Sequence, residues 1–154
     1  MKVNYREGTW FAIPLRHGGF AVGLVARATR KGPLFLAYLF GPRRESIPAF
    51  ADVSGLDSSS AIKVARVGDL YLVNGKWSVL GQLPDFQRSA WPFPDFVRSE
   101  EIARRSWIVR YADDDPGRVV AEVPVAFGGS SLEPDTLFGA GAMEVTLTRI
   151  LGDS

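Results

Sequence analysis

Leu34-Phe35-Leu36-Ala37-Tyr38-Leu39-Phe40 decides the fold. A strand with one wet face alternates apolar and polar residues, whereas this run is apolar at nearly every position, as in a strand covered on both faces. It reads as the central strand. Upstream, Lys31-Gly32-Pro33 turns the chain and residues 20–29 read as a neighbouring strand whose alternation is interrupted at Gly23, which predicts a bend there. His17-Gly18-Gly19 is the turn of a hairpin whose first arm is 9–15.

Downstream, the Pro, Gly and Ser content of 41–60 marks a long connection with one helical turn around 49–53. Ile62, Val64 and Ala65 begin another strand. Residues 69–73 lead into Asn74-Gly75, the dipeptide best suited to a two-residue hairpin turn, with 76–83 as the return strand. Three prolines and four bulky aromatics in 83–99 predict an extended run over the surface of the core. Residues 106–111 and 118–123 form a second hairpin through Ala-Asp-Asp-Asp-Pro-Gly at 112–117. In 142–151, Met143, Leu147, Ile150 and Leu151 fit helical spacing while Met143, Val145 and Leu147 alternate, so both readings stand. Gly152 as a C-cap and Arg149 in the last turn favour the helix. The fold class is therefore mainly β (α+β): a small strongly bent sheet or partly open SH3-like barrel, with an added hairpin and a short C-terminal helix.

A chain of 154 residues, 46% hydrophobic and 23% charged, suits a single domain over 1–154. Trp10, Trp77, Trp91 and Trp107 should weigh heavily in its core. Eighteen basic against seventeen acidic residues leave a charge of +1, too balanced to drive nucleic-acid binding by counterion release. With no cysteine there is no disulfide, thiolate nucleophile or cysteine-ligated zinc. No signal peptide is evident and the longest apolar run, 33–40, is far short of a membrane span, so a cytoplasmic protein is expected.

Chemistry-bearing motifs are sparse. His17, the single histidine, sits in a turn without companion ligands, and Ser58-Ser59-Ser60 lacks a nucleophile elbow. Phe138-Gly139-Ala140-Gly141 lacks the Lys-Ser/Thr pair of a phosphate loop. These observations predict no catalytic residue, no metal and no cofactor. Binding candidates remain: Arg43 and Arg44 at the end of the apolar strand, Trp91 and Phe93 if exposed, and the acidic tip Asp113, Asp114 and Asp115. Arg88, Arg98, Arg104 and Arg105 read as solvated surface.

Tyr5-Arg6-Glu7-Gly8, Phe11-Ala12-Ile13-Pro14-Leu15 and Gly19-Phe20-Ala21-Val22-Gly23-Leu24-Val25 follow one another in an order that resembles the opening of the immunity protein 26 family of bacterial polymorphic toxin systems. Phe40-Gly41-Pro42-Arg43, the stretch 75–84, Trp91-Pro92-Phe93-Pro94 and Phe96-Val97-Arg98 resemble its later landmarks, so the likeness runs from about 5 to about 115, with a looser match at 143–151. The resemblance implies a mainly β protein that neutralises a cognate toxin, without catalytic residues to carry over. A toxin that binds nucleic acid would present a basic groove, which favours the three aspartates as the contact, and their joint change to Asn is expected to leave the fold intact. The opening also resembles SH3-like barrels, some of which are ribonuclease toxins. That alternative would rest on Arg27, Thr29 and Arg30.

Overall fold

The computed structural model describes residues 4–29 and 32–152. Nine strands form two sheets: β1 (Thr9–Pro14), β2 (Phe20–Ala28), β3 (Leu34–Arg44), β4 (Lys63–Gly68), β5 (Ser78–Gln82), β6 (Phe96–Glu100), β7 (Arg105–Ala112), β8 (Asp115–Val125) and β9 (Leu137–Phe138). The larger sheet has the order β5-β1-β2-β3-β4-β9, antiparallel except where β9 joins β4, and the smaller has the order β6-β7-β8. Three α-helices accompany them among the described residues: α1 (Phe50–Val53), α2 (Leu70–Val73) and α3 (Ala140–Leu151). The six-stranded sheet stays open, so the mainly β expectation holds without a closed barrel.

β3 lies inside the large sheet and feeds two cores, as its unbroken apolar run requires. Phe35, Ala37 and Leu39 pack with Phe11, Trp77 and, from α3, Met143 and Leu147. Leu36, Tyr38 and Phe40 face the other way and pack with Trp10, Trp91 and, from the small sheet, Phe96, Val109 and Tyr111. Each large apolar side chain buried this way contributes about 1.5–3 kcal/mol relative to exposure, so one strand anchors both layers.

Several local expectations change for physical reasons. The β2 ladder is unbroken at Gly23, which pairs with Phe11; the missing side chain leaves room for the Phe11 ring, 2.5 Å from where a Cβ would sit. The irregularities lie on either side of it, one between Phe20 and Val22 and one where Val25 pairs with Ala37 but Arg27 pairs with Leu36. The second of these turns Arg27 toward the small sheet rather than the α3 side, and re-aiming a side chain is what bulges do. Asn74-Gly75 is not a hairpin turn. Residues 69–73 wind into α2, Asn74 caps it, and Gly75 at φ +83° turns the chain so that Trp77 N–H reaches the Tyr71 carbonyl. β5 then pairs with β1 instead.

Residues 83–99 run over a core surface only in part, with Leu83, Phe86 and Phe93 partly buried against it. Trp91 and Phe96 sit between the sheets, and residues 96–100 are a strand. β3 extends to Arg44, so the long connection begins later than expected; its helical turn, α1, is where the sequence placed it. Residues 142–151 are helical, with Gly152 at φ +69° closing α3.

β8 is the outer strand of the small sheet, with Val119, Val120 and Val123 about half exposed. Pro116 and Pro124 lie within it, and Val120 is an extra residue between the pairs Arg110↔Ala121 and Tyr111↔Val119. Prolines and bulges on an outer strand obstruct pairing with another chain.

Candidate interaction surfaces

The acidic turn between β7 and β8 is tied into the protein. Arg27 is 2% exposed, and its Nη2 lies 2.8 Å from Asp113 Oδ1, with Nε donating to the Asp113 carbonyl at 2.8 Å. Its Nη1 donates to the carbonyls of Ala26 and Trp91. Asp113 also lies 3.6 Å from Arg88, whose guanidinium holds Glu7 through two 2.8 Å bonds. Those bonds to Glu7 raise the Arg88 pKa. A fixed chain of charge thus joins the N-terminal segment, β2, the 88–90 turn and the β7–β8 turn. Asp114 pairs loosely with Arg118 at 3.4 Å, and Asp115 accepts from Gly117 N–H. The three aspartates, expected to be replaceable by Asn without harm to the fold, are thus not equivalent, since Asp113 alone pairs with a buried guanidinium.

Other networks hold further loops. Arg66 stacks over the Tyr111 ring at 4.2 Å and pairs with Asp135 at 3.0 Å, while Tyr111 donates its hydroxyl to the same carboxylate. Burial and then that hydrogen bond push the Tyr111 pKa up. Tyr5 donates to Asp69 and is raised for the same reasons. Glu144, 2% exposed on α3, accepts from Trp77 Nε1 and Arg16 Nε and faces Lys76 at 3.6 Å.

The remaining sequence candidates lie apart. Trp91 is 5% exposed, edge-on to Trp10, Tyr38 and Phe40, which makes it a core residue rather than an interface anchor. Phe93 is half-buried and stacks on Tyr111. Arg43 and Arg44 belong to β3; Arg43 Nε donates to the Gly18 carbonyl, bracing the β1–β2 turn. Of the residues invoked for RNA cleavage, Arg27 is sealed in the ion network, Thr29 donates to the Leu34 carbonyl, and Arg30 lies outside the described residues. No group of three or more metal-ligating side chains gathers among the described residues. No helix among them is long and apolar enough to cross a membrane.

One surface was missed. At the end of the small sheet away from Asp113, Arg104, Arg105, Trp107, Pro124, Val125 and Phe127 line an open cleft of about 480 Å³. Arg104 lies 4.6 Å over the Phe127 ring, and the neighbouring Ile102 is fully exposed. An apolar residue beside two arginines and a tryptophan over 102–107 was the available signal, hidden while the arginines were read singly.

A family model described as Immunity protein 26 matches residues 6–108. No curated protein and no solved structure matches the chain.

Proposed function

Because the chain belongs to the immunity protein 26 family and so is an immunity protein of a toxin system, we propose that it neutralises one cognate toxin by direct, non-catalytic association in the cytoplasm of the cell that makes both. An inhibitor of this kind gains affinity when its surface is ordered before the partner arrives, since less freedom is lost on binding. The observation that carries the reading is the set of ionic clamps on the connecting segments. Arg27–Asp113 and Arg66–Asp135 pin the β7–β8 turn and the 133–135 strand-like run to the large sheet, and Arg88–Glu7 ties the N-terminal segment to the 88–90 turn. The two buried arginines, Arg27 and Arg66, are spent on this bracing, which leaves the outer surface for recognition.

Coexpression with the toxin domain encoded by an adjacent gene tests the proposal. Growth should be restored and the two proteins should co-purify in a fixed ratio. Restored growth with no complex at micromolar concentration would sink direct association.

A further inference from the structure

We infer that the far end of the three-stranded sheet docks the toxin, its aromatic cleft receiving an acidic segment flanked by apolar side chains. The inference rests on the immunity reading above and deepens it by naming the surface. The register places the two ends of this sheet in different settings. At one, Ala112 pairs with Asp115 beside the buried Arg27; at the other, Ser106 pairs with Val125 and the strands end in exposed turns. At the second end residues 101–105 are all exposed.

Its chemistry is that of a binding site rather than a solvated tip. Arg104 and Arg105 are exposed and have no carboxylate partner among the described residues, while nearby Arg98 holds both Glu100 and Glu122. No carboxylate lines the cleft between Trp107 and Phe127. Arginines beside aromatic rings are the residue types that dominate interface energetics, and a guanidinium recognises a carboxylate through paired hydrogen bonds. Ile102 is 101% exposed in the adjoining turn, so it buries nothing within the described chain and is positioned to enter an apolar pocket of the partner. The β8 edge is obstructed by Pro116, Pro124 and the Val120 bulge, so recognition proceeds through side chains and not through strand addition.

The experiment uses the full chain and the toxin domain of the adjacent gene, with association measured by surface plasmon resonance at low and high salt. Arg104→Asn/Arg105→Gln retains at 104 a residue that tolerates the observed φ of +53°. It should keep the wild-type melting temperature, weaken binding about 30-fold or more, and flatten the salt dependence of the association rate. Ile102→Asp should weaken binding about tenfold or more. Asp114→Asn/Asp115→Asn is the comparison at the opposite end and should bind as the wild type does. If the wild type binds and the arginine and isoleucine variants match it within twofold, the docking surface is wrong while the immunity reading stands. Loss of binding in the aspartate variant alone would move the contact to the acidic turn. A folded wild type that binds no toxin would overturn both.

Discussion

Replacing Asp113 by alanine removes the only carboxylate within ion-pair reach of Arg27 among the described residues, and leaves a 2%-exposed guanidinium with backbone carbonyls alone. Breaking a fully buried pair costs about 3–5 kcal/mol, but Asp113 is itself 63% exposed, so water already screens one side. Two bonds to a charged donor are lost, at 2.8 and 3.2 Å, and such bonds carry about 1.5–3 kcal/mol. Together these bracket the expected loss at about 2 kcal/mol, or a fall in melting temperature of about 4–8 °C for a chain of this length. Asp114→Ala removes an exposed 3.4 Å contact to Arg118 and a weaker electrostatic interaction with Arg88, and should stay within about 0.5 kcal/mol of wild type. Calorimetry and urea unfolding followed by near-ultraviolet circular dichroism measure both. If Asp113→Ala and Asp114→Ala unfold together with wild type, Arg27 does not depend on that carboxylate and the clamp is an ornament of geometry.

Stability should also fall at high pH. Burial raises the pKa of Tyr5, Tyr38 and Tyr111 in the fold, so the unfolded chain releases these protons first; the contribution is complete below about pH 10 and is lost as pH climbs toward the folded values. Urea midpoints between pH 8 and 11.5 should be level at first and then decline, and Tyr111→Phe should make the decline shallower; a level profile throughout would contradict the burial argument. Gly23→Ala would place a Cβ 2.5 Å from the Phe11 ring and should cost about 1–3 kcal/mol in the same urea assay.

The architecture was most legible where burial dictates composition. Leu34 to Phe40 had to be covered on both faces because no residue in the run tolerates water well, and the structure places a core on either side of it. His17-Gly18-Gly19 was legible for the same kind of reason, since Gly18 and Gly19 supply the positive φ of the turn. Asn74-Gly75 misled because positive φ serves a helix end as well as a hairpin; only the partner of β5, far away in sequence, distinguishes the two. Arg27 was beyond reach. A charged residue in an apolar strand reads as an exposed position until a one-residue bulge is seen to swing it onto Asp113, 86 residues away. The acidic turn was legible as a turn, but the division of labour among its three aspartates follows from that same long-range contact.

The outer strand β8 has a consequence for how such a protein diversifies. With Pro116, Pro124 and an inserted Val120, its backbone offers little to a passing strand, so partner choice along this edge does not come from main-chain hydrogen bonds, which every sequence can make. It must be written in side chains. Those at the sheet tip carry little of the fold's internal bracing, so with the toxin docked there as proposed, single codon changes would re-target the protein while the ionic clamps inside stay as they are.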